Sequence, residues 1–371
     1  MLNDLDLYNE KYQKKIIKII SKTIKKNNFI FGKEVKIFEN KLSKFTGSKY
    51  VCTVGSGTDA LLISLLSLNL KEGDEIIIPS FSWLSVIEVV LLLKLKPKFV
   101  ETNINDFNLD IKHLKKKISK KTKVVISTSL FGRTCKLDKL KKILPKSIFL
   151  IEDGAQNFGS KYKNKSSLNI ADISCTSFFP SKNLGSFGDG GAIFTNNKDI
   201  YNKILILRNH GQIKYSYTSN IVGLNSRLGT LQASILIEKL KKINFKIQNQ
   251  IKLYKRYEKF FHKNNIIGFP VFRNNKIYKD AYSNFNILVK KRDLLINELK
   301  KKKIPYKIYY PKPLYSQYNL KKQKKLKNTE YICKKIISLP FNDLSKKRNN
   351  DILKKLQKII SIKKGIFFEK K

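Results

Sequence analysis

The chain reads as an α/β protein: a mostly parallel sheet covered by helices on both faces, followed by a smaller α/β unit. Three observations point there. Seven short apolar runs alternate with helical stretches through the first two-thirds of the 371 residues, the pattern of strand–helix–strand units whose parallel strands are buried on both faces. Residues 60–68 are apolar nearly all round, which suits a helix buried against such a sheet. The length leaves chain for one large domain and one smaller one.

Strands are expected at residues 51–54, 75–78, 98–100, 123–127, 148–152, 173–176 and 192–195, most of them followed by a turn or a helical pattern. The pattern from Leu228 to about Phe261 predicts one long helix leading out of the large domain. Gly268 to Pro270 punctuates it, and residues 284–290 followed by 293–303 read as a strand and then a helix. The large domain is therefore placed at 1–245 and the small one at 246–371. No repeat or low-complexity linker is visible, and the Lys-rich end, 363–371, is expected to fray.

Composition narrows the class. At 42% apolar and 11% aromatic residues, disorder is excluded for most of the chain. No window reaches the roughly 18 uncharged apolar residues of a membrane span; the best, 84–93, contains Glu88. The start, Met1-Leu2-Asn3-Asp4, is too acidic and polar for a secretory signal. Cys52, Cys135, Cys175 and Cys333 show no paired spacing and read as ordinary thiols of a reducing compartment. A cytoplasmic protein without a membrane partner is expected, and no metal site.

The formal net charge of +48 invites a nucleic-acid reading. Its make-up argues otherwise. Only seven of the 76 cations are Arg, the residue nucleic-acid interfaces favour for its planar fork, and none of the usual binding motifs is present. Residues 51–100 hold four Lys against five acids, and residues 151–200 hold five of each. The excess lies in segments such as 112–123, 300–303 and 321–327, interspersed with Ile, Leu and Asn as on solvated helix faces. Chemistry is therefore sought in the neutral blocks, and no nucleic-acid partner is expected.

Three constellations stand out there. Gly55-Ser56-Gly57-Thr58-Asp59-Ala60 follows a strand and opens a helix. Its glycines let backbone amides approach an anion, the helix N-terminus adds positive potential, and Thr58 adds a hydroxyl; plain capping of a tight turn explains the same residues. Ile151-Glu152-Asp153-Gly154-Ala155-Gln156 ends an apolar strand, where ligands of parallel sheets sit. A buried carboxylate there needs a cationic partner such as a pyridinium nitrogen, unless Asp153 is only a cap. Thr176-Ser177-Phe178-Phe179-Pro180-Ser181-Lys182-Asn183-Leu184, then Gly188-Asp189-Gly190-Gly191, isolates one Lys in a quiet loop. Desolvation lowers the pKa of such a Lys and suits it to Schiff-base chemistry; a solvated loop Lys is the plainer alternative.

A phosphate cradle, a strand-end Asp and a sheltered Lys about 30 residues later are the parts of a fold-type I pyridoxal-phosphate (PLP) enzyme. Over nearly its whole length the sequence resembles the DegT/DnrJ/StrS family of PLP-dependent sugar-nucleotide aminotransferases. The most specific segments are Ser177-Phe178-x-x-x-Lys182-x-Leu184, Gly188-Asp189-Gly190-Gly191, and Gly223-Leu224-Asn225-Ser226-Arg227-Leu228 leading into Gln232-Ala233. The resemblance implies that Lys182 forms the Schiff base and shuttles the proton, and that Asp153 pairs with the pyridinium. It also implies that Gln156 binds the phenolic oxygen, that Trp83 stacks on the ring, and that Gly57, Thr58 and Ser177 hold the phosphate. Asn225 would reach that phosphate from a neighbouring subunit, making the protein a homodimer with a shared active site, and Arg227 would grip a carboxylate.

Thr58-Asp59-Ala60-Leu61, the segment from Cys175 to Lys182 and His210-Gly211-Gln212 are most like the enzymes that aminate UDP-2-acetamido-2-deoxy-3-oxo-glucuronate for lipopolysaccharide O-antigen. By that likeness the substrates are a nucleotide keto-sugar and glutamate. Two departures stand out: Gly154 replaces the usual Ala, and Tyr309-Tyr310-Pro311 stands where relatives carry His-Tyr-Pro near the substrate. Tyr309 changes a donor/acceptor pattern, so a TDP-linked 3-keto- or 4-keto-6-deoxyhexose stays open as the substrate. Lys182 argues against the dehydratase branch, which carries His there. His113 and His262 lie in Lys-rich helical segments and are expected to be exposed.

Overall fold

The computed structural model describes residues 10–369 apart from 214–217, 220, 319, 321–323 and 342–345. The polar start, the first part of the Lys-rich 321–327 stretch and the last two residues lie outside the described residues.

All seven expected strands form, and they make one sheet. They are β1 (Tyr50–Val54), β2 (Glu75–Pro79), β3 (Lys96–Val100), β4 (Thr122–Thr128), β5 (Phe149–Asp153), β6 (Ile173–Ser177) and β7 (Gly191–Thr195), in the order β1-β7-β6-β5-β4-β2-β3. Only β7 runs against the others, pairing antiparallel with both β1 and β6. The strand side chains divide with period two between two cores. Ile76, Ile78, Val124, Ile126 and Ile151 join the cluster under α3 (Gly57–Leu66) and α4 (Ser85–Leu92). Ile77, Val125 and Leu150 face the opposite cluster under α5 (Ile111–Lys117) and α6 (Leu137–Ile143). The sheet is thus covered on both sides, as the uninterrupted apolar runs require.

Ahead of the sheet stand α1 (Glu10–Lys25) and α2 (Lys33–Thr46), and α7 (Lys198–Leu207) follows β7. The single helix expected from Leu228 to Phe261 is two: α8 (Thr230–Leu240) and α9 (Ile243–Lys263). Between them the amides of Lys241 and Lys242 bond three residues back, to Glu238 and Lys239. That tighter turn ends α8, a break the unbroken apolar pattern did not signal. Along α9, Tyr254, Tyr257 and Phe261 gather on Phe285 at ring separations of 4.9, 4.7 and 5.8 Å.

Beyond α9, β8 (Phe285–Leu288) pairs antiparallel with β9 (Ile336–Leu339), flanked by α10 (Arg292–Lys301), α11 (Lys327–Lys335) and α12 (Lys346–Lys363). The apolar cluster that holds Phe285 and Ile359 also contains Phe38, Phe178 and Leu184, so the core continues across residue 245. The segment after Lys363 does not fray within the described residues. Phe367 is fully buried, and Phe368–Glu369 pairs with Ile266–Ile267. His113 departs from expectation too: its Nδ1 accepts the Glu101 amide at 2.9 Å, whereas His262 is exposed. No described helix is long and apolar enough to cross a membrane.

Candidate active site

Parallel strands end on one edge, and that edge collects the expected residues. Val54, Pro79, Thr128, Asp153 and Ser177 close β1, β2, β4, β5 and β6, while Gly191 opens β7 between Val54 and Ser177. Ligands of open α/β sheets bind beyond such an edge.

The cradle forms at the start of α3. Ser56 Oγ accepts the Asp59 amide at 3.0 Å and caps the helix. The first-turn amides of Gly57 and Thr58 have no intrahelical acceptor, as at any helix start. The cap thus leaves these two amides unspent, so capping does not preclude an anion here. Ser226, from the loop before α8, accepts the Gly55 amide at 2.9 Å and donates to Asp59 Oδ2 at 2.7 Å, fixing the loop from outside. Thr58 Oγ1 lies 2.7 Å from Ser85 Oγ. Space is tight: a Cβ on Gly57 would stand 2.7 Å from Ser177 Cβ, and one on Gly191 2.3 Å from the Ser56 carbonyl oxygen. Glycine at both positions lets two loops close on each other.

Asp153 is 6% exposed. Its Oδ1 accepts the Ala155 amide at 3.1 Å; its Oδ2 takes a long 3.5 Å bond from Thr128 Oγ1, which itself receives Ser82 Oγ at 3.1 Å. Burial pushes the Asp153 pKa up, while the Ala155 amide and the Lys182 charge pull it back. Lys182 is half-buried, and desolvation holds its pKa below the usual lysine range against the opposing pull of Asp153. Lys182 is thus no solvated loop lysine. Next to Asp153, Glu152 is fully buried and receives Ser129 Oγ at 2.7 Å, Asn157 Nδ2 at 3.0 Å and Ser174 Oγ at 3.2 Å. Burial still pushes its pKa up to about 7.

Gln156 is locked at both ends: Oε1 accepts the Phe131 amide at 2.9 Å and Nε2 donates to Tyr310 Oη at 2.9 Å. The second Nε2 proton is not used by that bond. Trp83 is 54% exposed with its ring 6.0 Å from Tyr310, so it is no core anchor. Tyr309 stacks edge-on with Tyr310 at 5.8 Å. Arg227 bonds Asn209 Oδ1 at 3.1 Å and lies 5.7 Å from the Phe31 ring. It forms no ion pair among the described residues. Asn225 is exposed.

Thr128, Ser226 and Tyr310's grip on Gln156 went unread in the sequence. Ser226 lies inside a recognisable motif and Thr128 ends a predicted strand, so the strand-end rule applied to Asp153 also covers Thr128. The Tyr310–Gln156 bond joins residues 154 positions apart and leaves no local signal.

The donor set fits pyridoxal phosphate: amides and hydroxyls of Gly57, Thr58 and Ser177 for the phosphate, a buried Asp153 in want of a cation for the ring nitrogen, and a desolvated Lys182 amine. Comparison with known proteins agrees. The DegT/DnrJ/EryC1/StrS aminotransferase family model matches residues 10–357. The chain is 37% identical to the UDP-2-acetamido-2-deoxy-3-oxo-D-glucuronate aminotransferase of Pseudomonas aeruginosa, over 92% of this chain and 95% of that protein. It is 32% identical to the dTDP-3-amino-3,6-dideoxy-alpha-D-galactopyranose transaminase of Aneurinibacillus thermoaerophilus, over 91% and 93%. Among solved structures, a DegT/DnrJ/EryC1/StrS aminotransferase from Brucella abortus superposes with a TM-score of 0.91 at 29% identity, covering 97% of this chain and 99% of that one. Ntda from Bacillus subtilis, with bound cofactor PMP, does so at 0.88 and 25% identity, covering 96% and 84%. With the family model spanning almost the whole described chain, the protein belongs to the DegT/DnrJ/EryC1/StrS aminotransferase family.

Proposed function

We propose that the protein is a PLP-dependent aminotransferase that moves the amino group of glutamate onto the ketone of UDP-2-acetamido-2-deoxy-3-oxo-glucuronate, supplying an amino sugar for cell-surface polysaccharide such as O-antigen. Glutamate leaves as 2-oxoglutarate, its ketone oxygen supplied by water, and the sugar carbonyl carbon gains the amine and a hydrogen while its oxygen leaves as water. The observation that carries this reading is a desolvated Lys182 amine within electrostatic reach of a buried Asp153 carboxylate at one sheet edge, beside a glycine-built anion cradle.

When bound, the cofactor supplies an electron sink that stabilises negative charge at the carbon losing its proton. The chain's own residues do the rest. Gly57, Thr58 and Ser177 bind the phosphate through amides and hydroxyls. Asp153, whose Oδ2 takes only the long Thr128 bond, holds the proton of the ring nitrogen in place. Gln156, oriented by the Phe131 amide and Tyr310, offers its remaining Nε2–H to the phenolic oxygen. Trp83 presents an exposed ring face at the edge. Lys182 Nζ, its pKa lowered by desolvation, takes the proton from the donor's Cα and delivers one to the sugar carbon at the end of the transfer. Arg227 grips a carboxylate, on glutamate or on the sugar, and Tyr309 and Tyr310 line the sugar side.

The site is shared in a homodimer on this reading, with Asn225 reaching the partner's phosphate. Exposed Phe29, Ile30, Phe187, Ile221 and Val222 support such an interface. Phe29 and Phe187 are tied to the first turn of α8 through Thr230 and Gln232, and large apolar side chains grouped on a surface mark contact faces. Four buried, free thiols suit the cytoplasm.

The test is to load the protein with PLP, add glutamate and a panel of UDP- and TDP-linked keto-sugars, and identify products by mass and NMR. Amination of the UDP-linked uronate is expected. Lys182→Ala should abolish both the visible absorption of the loaded protein and turnover, by a factor of about 10³ or more. A protein that binds no PLP, or one indifferent to Lys182→Ala, overturns the reading; product only from a TDP-linked ketohexose overturns the substrate assignment alone.

A further inference from the structure

Lys182 can act only if its backbone presents the amine at the sheet edge, and the structure shows what holds that backbone. Two side chains of α9 reach it. Lys246 Nζ donates to the Lys182 carbonyl oxygen at 3.3 Å. One turn later, Gln250 Nε2 donates to Asn183 Oδ1 at 3.2 Å. Asn183 passes the grip on, its Nδ2 donating to the Ala281 carbonyl at 2.8 Å and, more weakly, to that of Phe158 at 3.4 Å. Both α9 residues are sheltered, Lys246 at 8% and Gln250 at 7% exposure. Their spacing of four residues stacks them on one helix face. On the far side of the same loop, α8 contributes Gln232, whose Oε1 accepts the Phe187 amide at 3.0 Å.

A buried ammonium is costly to hold, and this chain has other surfaces for its lysines. Spending one on the main chain of the reactive lysine fits a requirement for precise placement. Misplacing a reactive group by about 1 Å can cost about a hundredfold in rate, and a long side chain on a loop inherits every shift of its Cα. Further along, α9 packs Tyr254, Tyr257 and Phe261 on Phe285 of β8, so the helix carrying the two anchors is itself firmly seated.

We propose that Lys246 and Gln250 are positioning residues: a two-point clamp from α9 that fixes the backbone of Lys182 and Asn183 and so aims the Lys182 amine. This deepens the aminotransferase reading and rests on it for the amine's role.

The test compares Lys246→Met, which keeps the aliphatic stem and removes the donor, with Lys246→Arg and Gln250→Leu. In the cofactor-free protein, amide exchange across residues 178–190 should rise about tenfold in Lys246→Met and Gln250→Leu. In the loaded protein, the pH midpoint of the visible absorption band should move by about half a unit or more. The kcat should fall about tenfold while KM for glutamate stays within about twofold, and Lys246→Arg should recover most of the loss. Should Lys246→Met fail to fold, Gln250→Leu carries the same readouts. Variants that lose thermal stability yet keep the wild-type titration and kcat overturn the clamp and leave a structural contact. A wild-type protein that develops no visible band with PLP overturns instead the aminotransferase reading.

Discussion

At the scale of single residues, the site sets two adjacent carboxylates to different tasks. Asp153 looks outward to the edge, where burial raises its pKa and the Ala155 amide and the Lys182 charge offset part of that rise. Glu152 looks inward among Ser129, Asn157 and Ser174, with no ion pair among the described residues. Strand geometry separates them, since neighbouring residues of β5 point to opposite faces. The consequence is a pH dependence of stability with a definite sign. Glu152 titrates at about 7 in the folded chain against an ordinary 4.5, so between those values the folded state holds a proton that the unfolded state has lost. Its contribution is complete below about pH 4.5 and is lost as pH rises through about 7, a span of about 3 kcal/mol. Denaturant titrations at pH 5 and pH 8 should therefore show Glu152→Gln gaining on wild type at the higher pH. Equal stability differences at both pH values would remove the neutral carboxyl from this account.

Elements are joined by capping across the fold as well as along it. Glu101, just past the end of β3, accepts the amides of Asn328 at 3.1 Å and Thr329 at 2.8 Å, and the Thr329 hydroxyl at 2.7 Å. A carboxylate beside the sheet's edge strand β3 thus caps the N-terminus of α11, where the helix dipole favours it. Thr329 Oγ1 then lies 2.6 Å from Ser80 Oγ, at the start of the loop that carries Trp83. Glu101→Ala should cost about 1–3 kcal/mol, read as a shift in denaturant midpoint, and should speed amide exchange in α11. A change within about 0.5 kcal/mol would show the cap to be idle. No such link is legible in the sequence, because it joins residues more than two hundred positions apart. The seven strands were legible because both-face burial writes itself as continuous apolar runs. Lys182 and Asp153 were legible because charge stands out in neutral segments. The end of α8 was hidden, since Lys241 and Lys242 are of the same type as Lys239 and no Gly or Pro marks the change of backbone geometry. Trp83, Gln156 and Asn225 came from likeness to a family rather than from pattern, and their roles rest on that footing.

For the whole molecule, the charge of +48 belongs largely to solvated helix faces, with Lys182, Lys239 and Lys246 among the sheltered exceptions. A surface so basic would speed the approach of an anionic sugar nucleotide at low salt only. What the molecule as a whole does decide is whether one chain suffices for one site. Ser226 touches the cradle of its own chain through Gly55 and Asp59, yet the next residue back, Asn225, is exposed. An exposed Asn beside a phosphate site either serves its own chain or reaches into a second copy, and mixing two inactive variants separates these cases. Take Lys182→Ala and Asn225→Ala, each devoid of most activity, and let their subunits exchange. If Asn225 serves the partner, a mixed dimer has one ruined site carrying both lesions and one intact site, with Lys182 from one chain and Asn225 from the other. Random exchange makes half the dimers mixed, so activity should return to about a quarter of wild type. If Asn225 serves its own chain, each site of the mixed dimer carries one lesion and nothing returns. Recovery near a quarter establishes the shared site; none, with exchange confirmed by mass spectrometry of the intact dimer, overturns it.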